Sequence, residues 1–212
     1  MTADTGLWAF TLGVGLLTIT PGMDTALILR TAAVGAPRRA WGVVMGIQSG
    51  TLAWGVLASA GLAALLTASA VAYEVLRWAG ACYLVWIGVG MVWGTIRRRP
   101  GPEPVPGVTP GAGDDVRGGW RRGLLTNLLN PKVGAFYVAV LPHFIPAGAN
   151  HLAWGVLLTC IHIGLGLAWS SVLILCARRM RGVLQRPATR RFLDRVAGTV
   201  IAGFGVRLAV GD

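Results

Sequence analysis

Six long apolar runs limit what this chain can fold into. A helix needs about 20 apolar residues to cross the hydrocarbon core of a bilayer, and each run approaches or exceeds that length. The pattern therefore predicts an all-α membrane protein with six transmembrane helices. The runs are roughly Leu7–Leu29, Trp41–Leu66, Tyr73–Ile96, Gly123–Leu141, Leu152–Ala177 and Phe192–Val210.

Composition agrees with a membrane protein of one domain, residues 1–212. Only 13% of the residues are charged and 54% are hydrophobic, whereas soluble domains are about 25% charged. The high pI is also found in nucleic-acid-binding domains, but the arginines lie between the apolar runs, so no nucleic-acid partner is predicted.

The three cysteines lie inside apolar runs without metal-type spacing, which predicts core thiols and neither a metal nor a cofactor. Asp4 and the lack of a basic N-terminal segment argue against a cleaved signal peptide.

The placement of basic residues predicts how the bundle is oriented. Arg77 and Arg207 are the exceptions among 18 arginines, because the other 16 fall in the first, third and fifth connections. Basic loops stay cytoplasmic, so both termini are predicted outside. The third connection, Arg97 to Arg122, is rich in Pro, Gly and Asp, and it is predicted to be a flexible cytoplasmic loop over about 97–120.

Internal repetition divides the chain into two halves, about 6–96 and 121–210. Gly15-Leu-Leu-Thr18 recurs as Gly123-Leu-Leu-Thr126, and each copy precedes a proline within the run. Trp41-Gly-Val-Val recurs as Trp154-Gly-Val-Leu at the start of the next run. Three helices per half would make the second half inverted, and inverted repeats are a recurring transporter architecture.

Glycines spaced by four residues allow close helix packing. Such glycines form an internal seam or the face of a homodimer, and the sequence leaves both open. They are Gly42, Gly46 and Gly50 in the second run, and Gly90 and Gly94 in the third.

Two prolines interrupt apolar runs next to ionisable residues. Pro21 has no N–H, so it leaves the carbonyl of Leu17 without its helical partner. A freed carbonyl and a buried charge are costly in hydrocarbon unless they are paired. Two such stretches of opposite charge predict a substrate-binding site at the membrane midplane. Its predicted residues are Pro21, Gly22, Asp24, Asn127, Asn130, Pro131 and Lys132.

The residues alone leave the roles in this site open. Asp24 would bind a substrate ammonium, carry a proton or pair with Lys132, and Lys132 would pair with Asp24 or with a substrate carboxylate. Gln48 and His162 lie in the middles of the second and fifth runs. They are candidates for proton coupling, together with Asp24, or for a structural hydrogen bond. Asn127 and Asn130 would bind substrate or only satisfy backbone groups freed by Pro131. The carbonyls freed near Leu17 and Asn127 would help Asp24 to hold a substrate ammonium.

These motifs resemble those of the LysE/RhtB superfamily of bacterial amino-acid exporters over nearly the whole chain. That family's first motif usually reads Pro-Gly-Pro, and Met23 replaces the second proline here. The resemblance implies an inner-membrane carrier that expels amino acids or their derivatives by proton antiport. It is carried by Thr20-Pro21-Gly22-Met23-Asp24, by Leu129-Asn130-Pro131-Lys132 with Phe136 and Leu141-Pro142, and by Leu193-Asp194-Arg195-Val196 with Gly203-Phe-Gly-Val-Arg207.

Two alternatives belong to other functional classes. Ser49 and His162 would form the nucleophile and base of an intramembrane hydrolase, but Gly46-Ile-Gln-Ser49-Gly50 has one residue more than a Gly-x-Ser-Gly motif. A metal-cation carrier of the same fold would need a His/Cys/Asp cluster, which the sequence lacks. We therefore expect a transporter and not an enzyme.

Overall fold

A computed structural model describes residues 3–33, 36–68, 70–97, 115–146, 148–177 and 186–210. These residues contain helices and no strand, which confirms the predicted all-α fold class. The helices are α1 (Ala3–Ile19), α2 (Met23–Ala33), α3 (Pro37–Ala68), α4 (Ala70–Arg97), α5 (Val116–Leu128), α6 (Pro131–Ala135), α7 (His151–Leu175) and α8 (Pro187–Val210). A π-helical turn (Phe136–Val140) and a 3₁₀ turn (Leu141–Phe144) continue α6.

Two helices, or four segments if each bent helix pair counts as one span, have the length and composition to cross a membrane. Two are single helices, Pro37–Gly61 within α3 and His151–Leu175, which is α7. The other two are bent pairs, α1 with α2 and α5 with the segment that starts at α6, and each pair bends by 53° at its break. Among the described residues, α4 and α8 are not in this set, so the six-span inverted-repeat arrangement remains a prediction.

Helix packing brings both bent pairs against α3. α3 packs along α5 and α7, α1 and α2 pack on α7, and α4 packs on α8. Each bent pair therefore contacts the straight helix of the other half of the chain. Thr20 and Asn130, one residue from each break, are both buried.

The α3 glycines form a seam within the chain. A methyl group added at Gly42 would meet the backbone of Val116, and one added at Gly46 would meet the backbone of Trp120. Gly50 faces the side chain of Asn127. Small residues permit this close backbone approach. At Gly90 and Gly94 an added methyl group meets no described atom within 4 Å, so these two glycines stay predicted candidates for a homodimer face.

The third connection is shorter than the sequence predicted. Residues 98–114 lie outside the described residues, but α5 begins at Val116, within the loop expected to reach 120 or Arg122. Asp115 is its N-cap and accepts hydrogen bonds from the backbone N–H groups of Gly118 and Arg117. These two bonds hold the pKa of the Asp115 carboxyl below its usual range. The cap and the glycine seam extend the helix into a segment whose composition resembles a loop.

The cysteine prediction was wrong about burial. Cys82, Cys160 and Cys176 are exposed on the protein surface rather than in the core. The core instead contains aromatic and aliphatic side chains such as Phe10, Tyr137 and Leu158. In a membrane protein the outer surface faces lipid, so an apolar run does not determine which of its residues are internal.

Candidate functional site

The first break separates α1 from α2 at Thr20–Gly22. Because Pro21 has no N–H, the carbonyl of Leu17 lacks a helical donor. The ammonium of Lys132 takes that place: its Nζ donates to the carbonyl oxygens of Leu17 at 3.0 Å and Thr20 at 3.2 Å. Asp24 lies in the first turn of α2, where the helix dipole stabilises a negative charge.

The second break separates α5 from α6 at Leu129–Asn130. Pro131 occupies the first turn of α6, and the side-chain oxygen of Asn130 caps that helix by accepting the backbone N–H of Lys132 at 3.1 Å. Asn127 Nδ2 donates to Asp24 Oδ2 at 2.9 Å. Two side chains at the second break therefore hydrogen-bond to groups at the first: Asn127 binds Asp24, and Lys132 binds backbone carbonyls.

The charges of Asp24 and Lys132 interact electrostatically, but their hydrogen bonds go elsewhere. In the part of the chain that the structure describes, the carboxylate binds Asn127 and the ammonium binds backbone carbonyls. Direct pairing of the two side chains, one of the predicted roles, is not the arrangement seen.

The breaks enclose one side of a cavity of about 70 Å³, which we call the central cavity. A buried water needs about 10–15 Å³ measured in this way, so the space holds several waters or a small ligand. Gly22, Asp24, Asn127, Asn130, Lys132, Gln48 and His162 line it. Pro21 and Pro131 are not among its lining residues, and their contribution is to create the breaks.

Three polar atoms of the central cavity's lining residues have no hydrogen-bond partner. They are Asp24 Oδ1, Asn127 Oδ1 and Trp169 Nε1, and all are buried. Trp54 Nε1 is the other such side-chain atom among the described residues. Buried polar groups are nearly always paired, so these three lining residues are candidates to bind a polar ligand.

His162 and Gln48 are buried residues that line this cavity, and their role in proton coupling stays a prediction. The Nδ1 atom of His162 is 2.9 Å from Tyr137 Oη, and the two rings stack with centroids 5.7 Å apart. Tyr137 belongs to the π-helical turn, a distortion often found at functional sites. Gln48 lies against Gly166, where an added methyl group would come within 2.8 Å of its Nε2.

Sequence reasoning missed several residues of the central cavity, because serine, threonine and tryptophan are common in apolar helices. One signal was available: starting from His162, the helical spacing of 4, 7 and 8 residues reaches Gly166, Trp169 and Ser170 on the same face of α7. The missed lining residues are Thr18, Thr25, Thr51, Gly166, Trp169 and Ser170.

The contacts of Ser49 do not fit a hydrolase. Its hydroxyl donates to the carbonyl of Met45 at 2.8 Å and accepts the indole N–H of Trp120 at 3.1 Å. The predicted base, His162, is bonded to Tyr137 instead. Within the described ranges, no group of three or more His, Cys, Asp or Glu residues is placed to hold a metal ion.

Sequence comparison identifies the family. The family model of the LysE type translocator matches residues 16–212. The chain belongs to this family. It is therefore a membrane translocator and not an enzyme, which confirms the resemblance found in its motifs.

Curated relatives of this LysE type translocator match it over nearly their whole length. The threonine efflux protein of Escherichia coli K12 is 29% identical, with 91% of each chain covered. The leucine efflux protein of an Enterobacter species is 26% identical, covering 95% of this chain and 94% of the relative. An uncharacterized membrane protein of Pseudomonas aeruginosa is 28% identical over 97% of this chain and 95% of its own. No solved structure matches the chain significantly.

Proposed function

We propose that this LysE type translocator exports amino acids, or close derivatives of them, across the bacterial inner membrane. The observation that carries the proposal is the central cavity, where unpaired acceptors and a lysine ammonium meet between two broken helices. Discontinuous helices that meet at the midplane bind substrates in several carrier folds. The threonine and leucine efflux relatives support the same substrate class.

A zwitterion matches the charges of the central cavity. Asp24 Oδ1 lies unpaired and would accept N–H groups of the substrate ammonium. Asn127 Oδ1 is also unpaired, but it lies against Gly50 of α3. A lysine ammonium has three donors. Two of those of Lys132 bind the carbonyls of Leu17 and Thr20, so the third would bind the substrate carboxylate.

This arrangement changes one expectation drawn from the sequence. The carbonyls near Leu17 and Asn127 were expected to hold the substrate ammonium. Lys132 Nζ binds the carbonyl of Leu17, and the backbone N–H of Asn130 binds that of Asn127 at 3.0 Å. The protein satisfies both carbonyls internally, because each has a donor within reach along or across the break.

Transport would proceed by alternating access of two inverted halves. The proton gradient would drive it, by antiport of protons against the substrate. The equal 53° bends of the two broken segments support the repeat. Asp24 would carry the proton, with His162 and Gln48 close by in the central cavity. Both termini would face outward, as the arginine distribution predicts.

Transport into inside-out membrane vesicles tests this proposal. We expect labelled amino acid to accumulate when a pH gradient, acidic inside the vesicle, is imposed, and accumulation to collapse with an uncoupler. Asp24→Asn should abolish it, since Asp24 is the one acidic residue among the described residues that line the central cavity. Glu74→Gln makes the same chemical change at an exposed position of α4 and should transport normally. Uptake that ignores the pH gradient would contradict antiport, and full activity of Asp24→Asn would place the site elsewhere.

A further inference from the structure

We propose that a groove between α4 and α8 binds one anionic phospholipid of the cytoplasmic leaflet. The groove, which we call the lipid groove, is lined by residues between Ala81 and Gly94 of α4 and between Gly205 and Val210 of α8. The lipid phosphate would bind the guanidinium of Arg195, and one acyl chain would lie along the groove. The inference adds a ligand site that does not depend on the transported substrate.

The lipid groove is large and apolar. It has a volume of about 900 Å³, near the upper end of the roughly 300–1,000 Å³ typical of ligand sites. Its described lining residues are glycine, alanine, valine, cysteine and tryptophan, so none of them is charged. The rings of Trp86 and Trp93 are exposed, and a methyl group added at Gly90 or Gly94 would meet no described atom within 4 Å. Such a surface accommodates a hydrocarbon chain.

The length of the lipid groove matches an acyl chain. From Ala81 to Gly94 the helix rises about 20 Å, at 1.5 Å per residue. One leaflet is half of a hydrocarbon core about 30 Å thick, which is about 15 Å. The groove is therefore long enough to hold a chain from the headgroup region to the middle of the bilayer.

Arg195 lies at one end of the lipid groove. Its Nε donates to Thr95 Oγ1 at 2.9 Å, and Thr95 directly follows Gly94, a lining residue of α4. Arg195 and Val206, which lines the groove on α8, are eleven residues apart. That spacing is close to three helical turns, so both lie on the same face of the helix. The bond to Thr95 uses one of the five N–H donors of the guanidinium, and the others form a planar fork that suits a phosphate group.

The position of Arg195 requires an anion. It lies inside the sixth apolar run, Phe192–Val210, and its side chain is exposed. A charge in a membrane span is costly unless it is paired or reaches the headgroups. The adjacent acid, Asp194, interacts electrostatically with Lys132, and consecutive residues of a helix do not face each other. The arginine distribution predicts that this end of α8 is cytoplasmic, where anionic lipid headgroups are available.

A second copy of the chain is the other occupant that the α4 glycines would allow. A two-fold dimer pairs the same surface of both copies, and in a membrane its axis runs along the bilayer normal. It would therefore bring a second Arg195 to the level of the first, and like charges repel. A lipid phosphate neutralises Arg195 instead. An anionic headgroup does so better than phosphatidylcholine, which carries its own cation beside the phosphate.

Brominated phospholipids test the site, because bromine on an acyl chain quenches the fluorescence of a tryptophan that it contacts. The full-length protein is placed in phosphatidylcholine nanodiscs with increasing amounts of brominated phosphatidylglycerol or of brominated phosphatidylcholine. We expect phosphatidylglycerol to show a saturable component at about 10-fold lower mole fraction, as for one charge-assisted hydrogen bond. Replacing both Trp86 and Trp93 by Phe should remove that component, since both rings line the groove.

Two pairs of variants separate the headgroup from the chain. Arg195→Gln should abolish the preference for phosphatidylglycerol, whereas Arg121→Gln, the same change at an exposed position of α5, should keep it. Gly90→Leu should remove the saturable quenching, because its side chain would occupy the groove. Gly164→Leu is the control: this α7 glycine is exposed, has open space around an added methyl group and does not line the groove.

Four results would overturn the inference. They are equal quenching of the wild-type protein by the two lipids, a preference that survives Arg195→Gln, saturable quenching that survives Gly90→Leu, and a cross-linked wild-type dimer in which neither lipid quenches Trp86 and Trp93. The last would assign the groove to a second copy. If Arg195→Gln fails to accumulate, the wild-type comparison and the tryptophan variants decide. Transport enters none of these measurements, so the proposed function is tested separately.

Discussion

At the scale of single residues, the ammonium of Lys132 joins the two breaks. It binds the carbonyls of Leu17 and Thr20 across the helix interface, and hydrogen bonds to a charged group contribute about 1.5–3 kcal/mol each. The same ammonium would also bind the substrate. A change in how tightly a substrate holds Lys132 would therefore alter the contact between the two breaks.

Removing the two charges tests whether they serve each other or a substrate. We expect Asp24→Asn, Lys132→Met and the double variant all to be inactive in export assays, because a zwitterion needs both fixed charges. If the charges only neutralised each other, the double variant would relieve the unpaired charge left by each single change.

Abundance and thermal stability in detergent provide the control for this experiment. Lys132→Met should lower stability, since two backbone carbonyls lose their donor. Robust export by the double variant, alongside two inactive single variants, would make the pair structural.

At the scale of helices, close packing of α3 on α5 positions the second break. Gly42, Gly46 and Gly50 face the α5 backbone or Asn127, and the same seam includes Gly119 and Gly123 on the α5 side. Asn127, which holds Asp24, lies at the end of this contact. The seam thus connects a packing motif to the geometry of the site.

Adding one methyl group tests the seam. In Gly46→Ala the new Cβ would lie 2.7 Å from the backbone nitrogen of Leu124, so the helices must separate. We expect a loss of about 1–3 kcal/mol, typical of overpacking, seen as a lower unfolding temperature in detergent. Gly61→Ala is the control on the same helix, because no described atom lies within 4 Å of its added methyl group. Equal behaviour of the two variants would contradict the seam.

At the scale of the whole molecule, charge distribution predicts the orientation. Sixteen of 18 arginines lie in alternate connections or, in the case of Arg195, just after one, and the cytoplasmic side retains such loops. The predicted homodimer and the inverted repeat also belong to this scale. In the predicted inverted repeat, α4 and α8 are the third helices of the two halves. These two helices pack against each other.

Single cysteines test the orientation directly. In a background without Cys82, Cys160 and Cys176, a cysteine at Gly148 should react with an impermeant maleimide added to intact cells. A cysteine at Gly107 should react only after the membrane is permeabilised. The reverse pattern of labelling would invert the topology.

The sequence by itself determined the fold class and the helix breaks, and it singled out Asp24 and Lys132, two charged residues that line the central cavity. Those properties depend on local chemistry: apolar length specifies a helix that can span a bilayer, and a proline without an N–H frees a carbonyl wherever the chain goes. The family resemblance rests on the same motifs.

Only the tertiary structure decided which groups meet. The sequence did not reveal that Lys132 reaches Leu17, a residue 115 positions earlier, that Asn127 holds Asp24, or that Trp169 lines the same cavity. The sequence pattern also predicted, wrongly, that the cysteines lie in the core. It predicted too late a start for the helix that begins at Val116. The physical reason is that a hydrophobic run facing lipid has the same composition as one facing protein, so partners across helices depend on packing at the glycine seam and at the breaks.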